Sequence, residues 1–335
     1  MVVSVRDVAA AASVSVGTVS NVLNRPSKVS PATVERVMRA IDELGFVRND
    51  AARQLRAGRS RSIGIVVPDS ANPFFAAVAR GAEHRADEAG MTLLLGNADE
   101  SAEREDRYLE VFREQRVNGV LITPASDDVA RLTRVRDAGS PVILVDREIE
   151  QSGLASVSVD DVEGGRLAAT HLLDSGRRRL LFLGGPLAIP QVAQRLEGAR
   201  LAVEAVADAA LEVVEMPALT VLNGRAAGLS LVERPPGERP DAILAANDLL
   251  AVGAIQALGI MSGVRIPEDI ALIGYDDIDF AAATVVPLSS IRQPAELIGY
   301  TAVDLLLKEL DEPDGVHERN VRFQPELVVR ESTGR

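Results

Sequence analysis

From residue 62 onward the chain repeats one pattern: a few consecutive apolar residues, then a longer stretch of helical character. The runs are Ile63 to Val67, Thr92 to Leu95, Val120 to Thr123, Val142 to Val145, Leu180 to Leu183, Ala242 to Leu244 and Ile270 to Ile273. A strand with one wet face alternates apolar and polar residues, whereas these runs are apolar throughout, so both faces must be covered. That is the signature of parallel sheet with helical crossovers. None of the runs approaches the roughly 20 residues needed to cross a bilayer, so no membrane span is expected. A length of 335 residues exceeds one ordinary core and predicts two or three domains.

Open parallel sheets bind ligands beyond the carboxyl ends of their strands, which directs attention to the residues after each run. These are Asn72, Phe74 and Phe75, then Asp146 and Arg147, then Asn247 and Asp248, then Tyr275, Asp276 and Asp277. Any one of them alone would pass as a helix cap or a core aromatic. Their recurrence at the same end of several strands is the signal. Sugars present paired hydroxyls and apolar ring faces, so their sites call for carboxylates, amides and guanidinium groups at the edge and flat aromatics at the face. Phe74 or Phe75 is suited to cover a ring, while Asp146, Arg147, Arg195, Asn247, Asp276 and Gln293 are suited to take hydroxyls. The set fits a polyol better than a lipid.

The net charge of −13 would repel nucleic acid if it were spread evenly. It is not. Residues up to Arg61 carry +5, and the rest carry −18. A basic head on an acidic body is expected where one segment approaches phosphates and the other stays clear of them. With no cysteine there is no disulfide framework, thiolate nucleophile or cysteine metal site. His84, His171 and His317 are widely spaced, so neither a metal nor a cofactor is expected. The first residues lack the continuous apolar stretch of a secretory signal, and a cytoplasmic location is expected.

Three short helices are legible in the head. Ser4 and Asp7 form a capping box ahead of a helix with Val5, Val8, Ala9 and Ala12 on one face. After a tight turn at Ser13 and Val14, Ser15 caps a second helix from Val16 to about Leu23. On it Val19, Val22 and Leu23 share the packing face, leaving Gly17, Ser20 and Asn21 on a small, polar outer face. Ser30 and Pro31 open a third helix through Val34, Val37, Met38, Ile41 and Leu44, ending at Gly45. The arrangement is a minimal helix-turn-helix bundle. From composition alone, Asp50 to Arg61 reads as an interdomain linker with a helix-capable core, Ala51 to Arg56.

The run Asp7 Val8 Ala9, then Val14 to Asn24, then Val29 Ser30, Glu43 Leu44 Gly45 Phe46, Asn49 and Ala52 Arg53 Gln54 Leu55, resembles the DNA-binding headpiece of the lactose and galactose repressor (LacI/GalR) family. The body resembles the rest of that family and the ribose-type periplasmic sugar-binding proteins. Matching stretches include Asn72 Pro73 Phe74 Phe75, Val145 Asp146 Arg147, Arg195 Leu196 Glu197 Gly198, Ala246 Asn247 Asp248, Ile273 to Asp277 and Arg292 Gln293 Pro294. The resemblance implies an all-α helix-turn-helix headpiece joined to an α/β periplasmic-binding-protein-like core of two Rossmann-like subdomains. The implied boundaries are a headpiece at 1–49, a hinge helix and linker at 50–61, and a ligand-binding and dimerisation core at 62–335. Within the core, the N-subdomain takes about 62–159 and 291–318 and the C-subdomain about 160–290 and 319–329. The chain then crosses between lobes near Asp160, Ser290 and Arg319.

By the same resemblance the second helix enters the major groove, with Val16, Gly17 and Asn21 reading base edges. Ser4, Ser15, Thr18, Ser20, Asn24 and Asn49 hold phosphates. Gly17 has no side chain, so readout falls on Asn21 and on a thymine methyl against Val16. Ser13 stands where glycine or asparagine is usual in this turn. Leu55 is implied as an apolar wedge in the minor groove with Arg56 beside it. Two wedges require two chains, hence a homodimer on a pseudo-palindromic operator. The last residues, Glu331 to Arg335, offer no leucine heptad of the kind tetrameric relatives append. Leu219 falls where relatives often place a ring-stacking aromatic, which leaves Phe74 and Phe75 as the platforms.

Lobe closure on a sugar-like effector could shift the dimer interface and the paired wedges, and a coupling of about 1 to 3 kcal/mol suffices for such control. The residues leave open whether the ligand weakens or strengthens DNA binding, and whether the regulator represses or activates. Two rival classes fit less well. A sugar-binding protein of a transport system would not carry a basic helix-turn-helix. An enzyme on the same scaffold would need a motif such as G-x-G-x-x-G, G-x-x-x-x-G-K or G-x-S-x-G, and the sequence has none of them. Asp276 and Asp277 are adjacent after a strand and so point apart, which suits them poorly as an acid–base pair.

Overall fold

The structure, a computed structural model, describes residues 3–46, 60–312 and 319–334. It divides into two compact units, one ending at Ser60 and one beginning at Arg61.

The first unit holds α1 (Val5–Ala11), α2 (Val16–Asn24) and α3 (Pro31–Leu44). At the start of α1 the Asp7 carboxylate accepts from both the Ser4 amide (2.8 Å) and the Ser4 hydroxyl (2.7 Å). Val8, Ala9, Ala12, Val19, Val22, Val37 and Ala40 form the core, with Leu23, Val34, Ile41 and Leu44 packed around it. Met38, expected on the apolar face of α3, is instead exposed. The α1–α2 turn holds Ser13 at φ +50°, a left-handed conformation that non-glycine residues adopt at a cost. Arg36 Nε donates to the Ala12 carbonyl at 2.9 Å and ties α3 to that turn. Gly45, at φ +59°, ends α3 as only a residue without a Cβ does freely.

The second unit contains two six-stranded sheets. The seven apolar runs became β1 (Ser62–Val67), β2 (Thr92–Asn97), β3 (Val120–Ile122), β4 (Val142–Val145), β6 (Arg179–Gly184), β8 (Ala242–Ala245) and β9 (Ala271–Asp276). Five further strands carry no such run: β5 (Ala155–Val159), β7 (Ala210–Glu215), β10 (Ser289–Arg292), β11 (Asn320–Phe323) and β12 (Glu326–Val328). The first sheet, ordered β11-β5-β4-β3-β1-β2, is parallel throughout. The second, ordered β12-β10-β9-β8-β6-β7, is parallel except where β12 runs against β10.

Helices α4 (Pro73–Glu88), α5 (Ala102–Glu114) and α6 (Ala130–Asp137) belong to the first lobe. Helices α7 (Asp161–Asp174), α8 (Pro190–Glu204), α9 (Val221–Glu233) and α10 (Asp248–Ile255) belong to the second. The last long helix, α11 (Ala295–Asp311), returns to pack on α4 in the first lobe.

Three segments connect the lobes, and two lie later than the sequence suggested. The first crossing is at Asp160, as expected, between β5 and α7. The return falls after Arg292, because residues up to Arg292 pair with β9. The third falls between Phe323 and Glu326 rather than near Arg319. Residues 320–323 pair with β5 in register from Ser156 to Val159, locked by Ser156 N–H to Arg319 C=O and Asp160 N–H to Phe323 C=O. Residues 319–323, expected in the C-subdomain, therefore complete the first sheet.

Close backbone contact between α7 and α8 sets up the cleft. A Cβ on Gly165 would lie 1.9 Å from the Arg195 carbonyl oxygen, and one on Gly198 would lie 1.9 Å from that of Val162. Only glycine at both positions lets the helices touch backbone to backbone, and that contact delivers Arg195 to Asp161.

Candidate ligand cleft and nucleic-acid interface

In the head, the Ser15 hydroxyl accepts the Thr18 amide at 3.0 Å and shares a hydrogen bond with the Thr18 hydroxyl at 2.9 Å. This cap fixes where α2 begins. With Val19 and Val22 turned inward, the opposite face carries Ser15, Val16, Gly17, Asn21 and Asn24 exposed, with Thr18 and Ser20 half-buried. Asn24 Nδ2 donates to the Ser20 carbonyl at 2.9 Å and reaches its hydroxyl at 3.3 Å. Val16, 43% exposed, is the lone large apolar side chain on that polar face. An exposed aliphatic there costs solvation and gains only if something covers it. Ser4 is also exposed, its hydroxyl engaged by Asp7. Asn49, Leu55 and Arg56 lie outside the described residues.

In the core, the carboxyl ends of both sheets face a cavity of about 250 Å³. Nine residues singled out from sequence line it: Asn72, Phe74, Phe75, Asp146, Arg147, Arg195, Leu219, Asn247 and Asp276. The tenth, Gln293, stands behind the wall and donates Nε2 to Asp276 Oδ1 at 2.8 Å, holding the carboxylate in place. Asn72 caps α4 by accepting the Phe74 amide at 3.0 Å. That turn presents Phe74 and Phe75 edge to face, their centroids 5.1 Å apart. Asn247 caps α10 in the same way through Leu250, and its Nδ2 reaches the Leu219 carbonyl at 3.3 Å.

Asp146 and Asp276 stand at strand ends in left-handed backbone, φ +58° and +99°. A buried aspartate in that region is strained by about 1 to 3 kcal/mol. Both share one cation. Arg195 donates Nε to Asp161 at 2.7 Å and Nη1 to the Ala246 carbonyl at 2.8 Å, and lies 3.7 Å over the Tyr275 ring. Its Nη1 stands 3.8 Å from Asp276. Burial opposes the guanidinium charge, but Asp161, Tyr275, Asp276 and Asp146 outweigh it and hold Arg195 protonated.

The carboxyls feel the reverse. Burial, partly offset by Arg195 and Gln293, pushes Asp276 up to about 6. Burial and then the Asp161 charge lift Asp146 well above the usual carboxylate range, and burial also raises Asp161. Arg147 is spent in part within its own lobe, on the Pro124 carbonyl at 2.6 Å and on Asp127.

Other strand-end residues turn to structural work. Asp248 accepts the Ser290 hydroxyl (2.7 Å) and the Ile278 amide (2.9 Å). Asp277 pairs with Arg292 (2.8 Å) and Arg330 (2.7 Å), and Tyr275 lies buried beneath Arg195.

Sequence reasoning missed Glu100, Thr123, Asp161 and Gln191. Gln191 spans the cleft, donating Nε2 to the Asp146 carbonyl (2.8 Å) and to Oδ2 (3.1 Å). Asp146 Oδ1 is buried with no partner among the described residues, an acceptor waiting for a donor. Gln191 and Asp161 open the helices after β6 and β5, so a search past every strand, including those without apolar runs, would have found them.

A helix-turn-helix unit joined to a two-lobed receptor, whose cavity between the sheets has apolar walls and a few buried polar groups, defines a class: ligand-responsive DNA-binding regulators. Residues 4–49 match the family model described as bacterial regulatory proteins, lacI family, and residues 169–333 match the periplasmic binding protein-like domain. The chain is 33% identical to the HTH-type transcriptional repressor PurR of Aliivibrio fischeri (strain MJ11), over 98% of each protein. It is 36% identical to the ribose operon repressor of Bacillus subtilis (strain 168), over 91% of this chain and 90% of that one. Among solved structures, the lac repressor dimer bound to operator and the anti-inducer ONPF superposes with a TM-score of 0.87, at 29% identity and full coverage of both chains.

The chain belongs to the LacI family and is a DNA-binding transcription regulator. The relatives matched are repressors, not enzymes. Among the described residues no helix is long and apolar enough to cross a membrane.

Proposed function

We propose that this regulator acts in the cytoplasm as a homodimer on a pseudo-palindromic operator, and that a small sugar-like effector in the inter-lobe cavity sets its affinity for that site. The observation that carries the reading is the unpartnered Asp146 oxygen beside Asp276 in a cavity bordered by Phe74 and Phe75. A buried carboxyl oxygen without a partner asks for a hydrogen-bonding hydroxyl, and the adjoining phenyl rings ask for an apolar face. In this reading Asp146, Arg147, Arg195, Asn247 and Asp276 take hydroxyls, Asn72 and Leu219 shape the wall, and Gln293 steadies Asp276. Val16, Gly17 and Asn21 meet base edges, and Ser4, Ser15, Thr18, Ser20, Asn24 and Asn49 meet phosphates. Leu55 and Arg56 enter the minor groove at the two-fold centre.

The test measures fluorescence polarisation of the full chain on a labelled duplex with a two-fold site centred on CG, recovered by selection. Thermal shift follows against pentoses, hexoses and nucleosides. Expected are a steep fall in affinity with salt, greater loss on altering the central step for wild type than for Leu55→Ala, and stabilisation by one sugar class that Asp276→Ala abolishes. Equal loss in both proteins removes the wedge. Stabilisation by no sugar ends the effector assignment and leaves DNA binding standing.

A further inference from the structure

The cleft holds little positive charge that a ligand could use. Glu100, Asp146 and Asp276 line it together with Arg147 and Arg195, and each guanidinium already spends part of its fork on a carboxylate inside the protein. Arg147 is paired with Asp127, and Arg195 with Asp161. A phosphate or carboxylate entering the cavity would need an unneutralised fork to bind bidentately, and would instead meet the carboxylates of Glu100 and Asp276. Helix N-termini also border the cavity and could attract an anion through their amides. Some of the first-turn amides are already used or missing, however. Asn72 takes that of Phe74, Asn247 takes that of Leu250, and Pro73 and Pro190 have none.

Glu100 is the distinctive member of the group. It follows Asp99 on the loop after β2, and the two stand at φ +54° and +55°. Successive left-handed residues other than glycine are a costly way to build a loop, and here they place a carboxylate at the cavity. Among the described residues nothing pairs with the Glu100 side chain. Burial, then the neighbouring Asp69 and Asp99 charges, lift its carboxyl above the usual range. Its charge is left uncompensated by the protein.

Granting the polyol reading above, we infer that this cleft selects a ligand without negative charge, and that Glu100 is a specificity-determining residue which turns away phosphorylated and carboxylated forms of the same ring. Glu100 is exposed at the rim of the cavity, so water screens part of its repulsion, yet against an anion held at contact distance that repulsion remains unfavourable. The neutral ring needs only hydroxyl donors for Asp146 and Asp276.

The experiment uses the full chain and chemically matched probes: D-ribose with D-ribose 5-phosphate, D-glucose with D-glucose 6-phosphate and D-glucuronate, and D-galactose with D-galacturonate. Thermal shift identifies a binding ring, and calorimetry then measures that ring against its anionic partner. The expected result is at least about tenfold weaker binding of the anion, with the gap reduced in Glu100→Gln, whose ligand-free melting temperature should equal or slightly exceed that of wild type. An anionic member that binds as tightly as its parent overturns the charge selection and spares the polyol reading. A gap unchanged in Glu100→Gln removes that residue from the role. Stabilisation by no member sinks the polyol reading and this inference with it.

Discussion

Asp276 is placed for binding at the expense of folding stability, and the two effects separate with pH. In the folded chain its carboxyl holds a proton up to about pH 6, whereas its ordinary value is 3.8. Between those values the folded state binds more protons than the unfolded state, so stability falls as pH rises through that window and the loss is complete above the folded value. A shift of this size corresponds to about 3 kcal/mol. It needs no discount for solvent screening, because Asp276 is buried. Asp276→Asn keeps the shape and mimics the protonated acid. Below about pH 4 the variant should nearly match wild type in stability, at pH 5 it should already be more stable by about 1.5 kcal/mol, and at pH 7.5 by about 3 kcal/mol, or roughly 6 to 10 °C in melting temperature for a core of this length.

The assay is differential scanning fluorimetry of ligand-free wild type and variant, side by side from pH 4.5 to 8. Taking the difference cancels every other titrating group. It should grow with pH between about 4 and 6 and then level off. A difference that stays flat, or that favours wild type as pH rises, would refute the claim that desolvation outweighs Arg195 at this carboxyl. The variant should also lose its effector response, which distinguishes a binding group from a purely structural one.

Three further outcomes follow from the geometry. Gly198→Ala places a Cβ 1.9 Å from the Val162 carbonyl oxygen and should cost about 1 to 3 kcal/mol of core stability by forcing α7 and α8 apart, read as a lowered melting temperature with weakened effector binding. Ser13→Gly should stabilise the head by up to about 1 kcal/mol by relieving its φ of +50°, seen as slower amide exchange in α1 and α2. Asn21→Ala should weaken binding to the selected operator by about 1 to 3 kcal/mol while leaving affinity for random duplex nearly unchanged, measured by competition polarisation.

The architecture was legible because six of the seven strands with apolar runs are inner strands covered on both faces, and that requirement writes itself into consecutive residues; β2, at a sheet edge, is the exception. β7 failed to register because it lies at a sheet edge with alternating exposure. β5 was missed because alternate serines interrupt its apolar residues, although it is buried throughout. The crossing placed near Arg319 was misjudged for a related reason. β11 and β12 are short, only partly buried strands separated by two residues, and nothing in their composition says which sheet each joins. That is decided by partners distant in sequence, Ser156 to Val159 for β11 and Ser290 to Arg292 for β12. The head was read almost residue by residue, since caps and helix faces are local properties. Met38 is the exception, an apolar residue at a helical spacing that the three-helix core does not reach.

The cleft shows what a linear pattern conveys and what it withholds. Its lining was visible because strand ends are predictable places. The charge state of that lining was not, because it depends on distances between residues far apart in sequence. Asp146, Asp161 and Asp276 sit around a single Arg195, and each is buried. In sequence they are four ordinary polar residues; gathered together they are a deficit of positive charge that the empty protein tolerates only by raising carboxyl pKa values and by drawing Gln191 across to Asp146. The left-handed backbone at Asp146, Asp276 and Glu100 points the same way. Asp99, Arg116, Gln151 and Asp277 are left-handed too, but at the buried Asp146 and Asp276 strain and desolvation fall together on residues that line the cavity. A hydroxyl reaching these carboxyls offsets their desolvation without adding charge, so its binding favours the lobes holding together around it.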